Sequence, residues 1–247
     1  MANTNCGNWG GEGNYFHPHP PFPLPHPAVG VSLFPLPSSH FPRFQLVPPL
    51  NPFTVLHRHR NFRIFWLGQT TSLIGTWMQT MAVGWLALEL SNNAFLVGLV
   101  VSAGSLPIVL FSMHAGVLVD RYERLKIVRI AQTLLLMEAS GLFLMTVTGH
   151  ISIGWLLVFA TAHGSISSVE IPARQSLIVE LVGRDDLPQA IALQSSGFNL
   201  ARILGPALAA LVIAQFGIAA AFGFNALSYL TVLASLFMVR LTPWRPA

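Results

Sequence analysis

Charge is the first thing this chain is short of. Asp, Glu, Lys and Arg together make up only 9% of its 247 residues, against 53% hydrophobic, and the mean hydropathy is +0.59. A water-soluble domain of this length must solvate its surface, and about a quarter of its residues are then charged. The shortage points to lipid as the solvent for most of the chain. Cysteine is almost absent as well. Cys6 stands alone, which excludes an internal disulfide and any cysteine-based metal site. No Ser–His pair, metal-ligand cluster or pair of carboxylates at usable spacing is present, so neither an enzyme nor a cofactor or metal is expected. The net charge of +4 could suggest nucleic acid. The basic residues form no patch interleaved with surface aromatics, however. They fall between apolar runs, where a membrane protein places them.

What is present divides into two regions. Twelve of the eighteen prolines lie at or before Pro52. Proline removes backbone donors and opposes helix and sheet alike, so residues 1–52 read as a disordered or polyproline extension. It lacks the basic start and unbroken apolar core of a signal peptide. It is either an unstructured extension, a Pro-rich ligand for a partner domain, or a weak metal-capturing segment through His17, His19 and His26.

After Pro52 come six apolar runs, at about 62–88, 95–119, 126–148, 151–170, 189–214 and 217–239, each above the roughly 18-residue threshold for crossing a bilayer. The connections after the first, third and fifth are short and carry no lysine or arginine. The basic residues gather elsewhere: Arg58, Arg60 and Arg63; Arg121, Arg124, Lys126 and Arg129; Arg174 and Arg184; Arg240 and Arg245. All of these fall on one side, which predicts a multi-pass protein of the cell membrane with both termini cytoplasmic. The expected fold is an all-α integral membrane bundle of six transmembrane helices over 53–242, followed by a cytoplasmic tail at 243–247.

Polar residues inside the runs are the candidates for function. Gln69, Ser72, Thr76 and Gln79 are spaced 3, 4 and 3 apart, on one helical face. In lipid such a stripe must meet protein or water. It is a cavity wall, with Trp77 and Trp85 nearby, or it joins packed helices by hydrogen bonds. Ser195, Asn199, Arg202 and Pro206 form a second face. Arg202 is read as an anion contact or as half of a structural pair with an acid on another helix. Glu138 is a candidate proton carrier or a hydrogen-bonded structural carboxylate. Glu170 and Glu89 are expected near wet span ends, and His163 is expected to be an interior histidine with its hydrogen bonds satisfied. Pro107 and Gly205-Pro206 interrupt the second run of each successive triplet, the pattern of a transporter built from inverted repeats.

The stretch "GVLVDRYERLKIVR" concentrates charge between the second and third runs. Gly116, Asp120, Arg121 and Arg124 follow G-x-x-x-D-R-x-x-R, which resembles the loop signature of the major facilitator superfamily. Residues Pro172 to Ala209 and the first run are similar to its transmembrane secretion effector branch, which includes siderophore exporters of the enterobactin type. "GFNLARILGPALAA", from Gly197, resembles the fifth-helix motif of drug–proton antiporters, and includes Arg202, Gly205 and Pro206. Leu125 and Ala210 depart from the branch's usual basic residue and glycine. The resemblance implies one half of the superfamily fold, a 3+3 inverted repeat. It implies Gly116 at a close helix approach and Asp120, Arg121 and Arg124 as a cytoplasmic latch. It also implies proton-coupled efflux of drug- or siderophore-like small molecules by alternating access. Members have two six-helix halves, and this sequence matches one. The expectation is therefore the N-terminal half of an exporter. The alternative is a truncated or split product without transport of its own, or a module that pairs with a complementary six-helix half.

Overall fold

The computed structural model describes residues 53–240. The readings made for residues 1–52 and 243–247 lie outside the described residues. Within them the chain is all helix: the single turn α1 (Thr54–Arg58), then α2 (Arg60–Ser91), α3 (Ala94–Arg121), α4 (Arg124–Val147), α5 (Ile153–Val182), α6 (Leu187–Phe216) and α7 (Ile218–Met238).

The helix ends follow from local chemistry. Asn92 takes a left-handed conformation, φ 47°, that closes α2. The neighbouring Asn93 side chain then accepts a hydrogen bond from the Phe95 N–H and starts α3, an N-cap that satisfies one of the orphan donors of a helix start. Gly217, at φ 82°, is the whole connection between α6 and α7. Only Tyr122 and Glu123 separate α3 from α4. The latch motif is thus split between the last turn of one helix and the first turn of the next.

Even the shortest of the six long helices, α7 with 21 residues, is about 32 Å long at 1.5 Å per residue, enough for a hydrocarbon core about 30 Å thick. Four of them, α3, α4, α6 and α7, are long and apolar enough to cross a membrane. The other two, α2 and α5, have 32 and 30 residues, and their polar side chains dilute the apolar run. Those polar side chains line the cavity described below.

Two expectations need correction. The fourth run does not stop at 170: α5 continues to Val182 through Pro172. Glu170 therefore sits inside a helix and is buried, and Arg174 is a helix residue, not a loop charge. Pro107 and Pro206 do not interrupt α3 and α6, which run through them. A proline inside a membrane helix is tolerated because neighbouring helices, Ser/Thr side chains or local adjustments re-satisfy the backbone groups it frees.

The most extensive packing is of α3 on α5, of α2 on α7 and α6, and of α4 on α7 and α5. Small residues make these approaches possible, as in membrane bundles generally. A Cβ added to Gly164 of α5 would lie 2.1 Å from the Gly104 carbonyl oxygen of α3. One added to Gly205 of α6 would lie 2.4 Å from Trp77 Cβ, and one added to Gly75 of α2 would lie 2.3 Å from Ser228 Oγ of α7. At Gly116, by contrast, an added Cβ would meet nothing within 4 Å. Among the described residues, the close approach of α3 is made at Gly104 and Gly164, not at Gly116.

These spacings predict opposite outcomes for two alanines. Gly164→Ala must push backbone aside and is expected to destabilise by about 1–3 kcal/mol, the usual cost of overpacking. Gly116→Ala is expected to leave stability unchanged or slightly raised. Thermal unfolding of the two variants in the same detergent, side by side with the parent chain, measures the difference.

Candidate functional site

A cavity of about 380 Å³ lies among the helices, within the usual size range of small-molecule sites. Its polar lining comes from two stripes. On α2 all four residues of the first stripe, Gln69, Ser72, Thr76 and Gln79, face it. On α5 a second stripe faces it: His163, Ser167, Glu170 and Arg174, spaced 4, 3 and 4. Val100, Gly104 and Ser105 of α3, Leu135 and Leu142 of α4, and the aromatic rings of Trp77, Phe159, Phe198 and Tyr229 supply much of the rest.

A relay of side chains crosses four helices beside this cavity. Ser228 Oγ donates to the Asn225 carbonyl oxygen at 2.7 Å and lies 3.1 Å from Asn225 Oδ1. Asn225 Nδ2 donates to Gln79 Oε1 at 2.7 Å. Gln79 Nε2 donates to both carboxylate oxygens of Glu138, at 3.0 and 3.1 Å. On the far side His163 Nδ1 lies 3.4 Å from Glu138 Oε2. Glu138 is only 6% exposed, and among the described residues no lysine or arginine is ion-paired to it. Neutral donors and one histidine hold this carboxylate.

The second buried acid is handled differently. Glu170 Oε1 accepts from Arg174 Nε at 2.9 Å and from Gln132 Nε2 at 3.1 Å, an ion pair within one helix. The amide of Gln132 is oriented by that bond, and its Oε1 is buried with no hydrogen-bond partner among the described residues, as is Gln69 Oε1. Tyr229 lies across the cavity with its hydroxyl 3.2 Å from Thr76 Oγ1. The site holds unused acceptors and one carboxylate without a permanent countercharge. That chemistry suits proton binding and hydrogen-bonded recognition of a small solute.

All four residues of the first stripe are cavity wall, and Gln79 is also a cross-link between α7 and α4. Glu138 lines the cavity beside them. Arg202 is not where a buried pair was expected. Its residue is exposed, and its guanidinium lies 5.8 Å from the centroid of Trp77, with no acid partner among the described residues. Phe198 packs edge-on to the same indole at 5.6 Å. Ser195 and Asn199 share this open face. Gly205 is buried against α2, and Pro206 lies beside it, half-buried.

At the charged end, Asp120 and Arg121 are exposed and have no partner among the described residues. Arg124 instead forms an ion pair with Glu180 of α5. The expected network among Asp120, Arg121 and Arg124 is therefore not closed here. A different clamp stands nearby: Asp186, at the start of α6, accepts from Arg58 Nη1 at 2.9 and 3.0 Å, and one of its oxygens is 2.7 Å from His59 Nε2. These contacts, His59 first and then Arg58, hold the Asp186 carboxyl below the usual carboxylate range.

The transmembrane secretion effector family of the major facilitator superfamily matches residues 49–245. The chain belongs to this family. It is 29% identical over 157 residues to the staphyloferrin A transporter of Staphylococcus aureus, covering 63% of this chain and 40% of that protein. It is 27% identical over 191 residues to an enterobactin exporter of Shigella boydii, covering 77% of this chain and 46% of the exporter. An uncharacterized MFS-type transporter of Bacillus subtilis is 28% identical over 174 residues, 69% of this chain and 40% of its own length. The chain thus spans less than half the length of these relatives. The family member has the all-helical fold expected from its apolar runs.

His163, Glu170 and Arg174 as a cavity face, and Asn225 and Gln132 as its supports, were not assigned from the sequence. The 4, 3, 4 spacing on α5 is the same signal as the stripe on α2. Ending the fourth run at Glu170 leaves out Arg174, the last residue of that spacing.

The Asp186 clamp makes a pH prediction. Its carboxyl is held low in the folded chain. Its contribution is therefore complete above the ordinary aspartate value of about 3.9 and disappears as pH falls through the lower folded value. Asp186→Asn is expected to reduce stability near neutral pH and to flatten the acid limb below about pH 4. Unfolding midpoints of the detergent-solubilised chain across that range test the sign.

Proposed function

We propose that this chain is the N-terminal half of a proton-coupled exporter of small, siderophore- or drug-like molecules, embedded in the cell membrane by six helices with both termini cytoplasmic. The observation that carries this reading is the cavity: a mostly apolar chamber crossed by two polar stripes, with a buried carboxylate that no lysine or arginine pairs among the described residues. Polar groups at that depth are expensive unless they serve a path for solute or ions. Transporters and exporters among the relatives support the same class of activity.

The packing pattern supports the 3+3 repeat. Exchange α2 with α5, α3 with α6, and α4 with α7. The pair α3·α5 then becomes α6·α2, and α2·α7 becomes α5·α4, while α4·α7 maps onto itself; all five are extensive contacts. The two cavity stripes lie on α2 and α5, which the same exchange relates. In this reading Glu138 carries the coupling proton, and Gln69, Ser72 and Thr76 meet the solute. Gly116, Asp120, Arg121 and Arg124 form the cytoplasmic gate, and Arg202, Gly205 and Pro206 form the antiporter-like motif of α6.

A second reading takes the chain as a module that acts only with a separate six-helix half. The open Asp120 and Arg121, and the polar exposed face of α6, favour it over transport by this chain alone. An open reading frame for six further spans just downstream of the Ala247 codon would support it.

Efflux from cells producing the chain, with its membrane insertion verified, tests the first reading. The expected result is export of a fluorescent solute that stops when a protonophore collapses the gradient, and a fall to background in Glu138→Gln. Background efflux by the inserted parent chain would refute transport by this chain alone.

A further inference from the structure

His163 has two ring nitrogens in two environments. Nδ1 faces Glu138 Oε2 at 3.4 Å. Nε2 makes no hydrogen bond among the described residues, and the side chain, 22% exposed, lines the cavity. Glu138 is the more enclosed of the pair, its side chain only 4% exposed and both oxygens taken by Gln79 Nε2. A proton arriving from water in the cavity finds the imidazole more open than the carboxylate.

We propose that His163 is the port through which a proton reaches Glu138, the two forming one proton-binding site that is loaded from the cavity at Nε2. This rests on the proton-coupled reading above. The step balances without a further reagent. A proton from cavity water binds the Nε2 lone pair and gives an imidazolium. Its Nδ1–H bond then breaks as an O–H bond forms at Glu138 Oε2. The histidine is left neutral with its proton on Nε2, and the acid is neutral. One proton has entered, and it is held either as imidazolium with carboxylate or as imidazole with carboxylic acid, so the site has a joint titration.

The other charged and titratable groups around the pair leave this count unchanged. From α5 itself come Glu170 and Arg174, ion-paired to each other. From α7 comes Tyr229, bonded to Thr76. The residues that α2 and α3 bring to the cavity are neutral, among them Gln69, Gln79, Gly104 and Ser105. With Glu170 and Arg174 cancelling, a single proton at Glu138 and His163 switches the net charge of the cavity lining between −1 and 0. Gln79, pinned by Asn225, keeps donating to the carboxylate side and fixes the acid where the imidazole can reach it.

The test is a titration of the full chain, labelled with ¹⁵N-histidine and held in lipid nanodiscs, by two-bond ¹H–¹⁵N correlation spectra. The His163 signals are those lost in His163→Gln. They are expected to titrate between about pH 5 and 8, the range in which histidine responds to its neighbours. Glu138→Gln is expected to move the midpoint down by about one pH unit, because an opposite charge beside the ring is gone. Glu170→Gln should move it far less, since Arg174 already balances that acid. A His163 that does not titrate in this range, an unmoved midpoint in Glu138→Gln, or an equal shift in Glu170→Gln overturns the proposal. Where Glu138→Gln does not fold, Glu138→Asp withdraws the carboxylate from the ring by one methylene, with the same expected direction and the same overturning result. No gradient or solute is involved. Absent efflux with the expected titration would sink only the transport reading, and efflux without it would sink only the port.

Discussion

A buried carboxylate that no lysine or arginine pairs among the described residues must be held by other donors, and here one amide, beside His163, does most of that. Gln79 spends its Nε2 on both oxygens of Glu138 and its Oε1 on Asn225. Leaving such groups unpaired in a low-dielectric interior costs several kcal/mol per group. The amide can satisfy them only if α2, α4 and α7 sit at one separation and one register. The relay therefore fixes helix positions as well as charge. It also explains why its members are large amides placed next to small residues: Gly75 leaves the room on α2 that Asn225 and Ser228 occupy on α7.

Helix α2 is consequently the hub. One side meets α7 through Gly68 and Gly75, another meets α6 where Gly197 and Gly205 approach it, and a third lines the cavity. A helix with three sides in use has little left for lipid, which is why its composition falls short of a purely apolar span. The same holds for α5, packed on α3 at Gly164 and lined with His163, Ser167, Glu170 and Arg174. Hydropathy by itself ranks these two helices lowest for crossing a membrane. They are the two most concerned with the site, since polar side chains at depth are tolerated only where they face protein or water.

Much of this was legible in the residues because two periodicities carried it. The six apolar runs correspond to six long helices, since run length is a property of the chain alone. The 3, 4, 3 spacing of Gln69, Ser72, Thr76 and Gln79 put them on one face for the same reason. What a single helix does not encode is what stands opposite. The acceptor of Gln79 lies 59 residues away, and its donor 146 away. Glu170 looked like a span end because Pro172 and Arg174 follow it, and only the continuation of α5 to Val182 buries it. The DRxxR spacing located a charged turn but could not say that Arg124 would choose Glu180 over Asp120.

Arg202 shows how an incorrect expectation still constrains the molecule. A guanidinium remains charged in any surroundings, and an arginine facing hydrocarbon costs a few kcal/mol on insertion scales and more in isolation. Its contact with Trp77 offsets a part of this, as cation–π contacts of about 0.5–2 kcal/mol do. Ser195 and Asn199 lie on the same exposed face of α6, and Asn199 Nδ2 turns back to the Ser195 carbonyl. A face carrying those three groups is unsuited to acyl chains. Ile203 and Leu211, 71% and 59% exposed on the same helix, are well suited to them. The polar stretch of α6 borders exposed apolar residues such as Ile203, and it adjoins Trp77 and Phe198, which line the cavity. The cavity and that face are neighbours in the fold, so whatever covers the second also bounds the first.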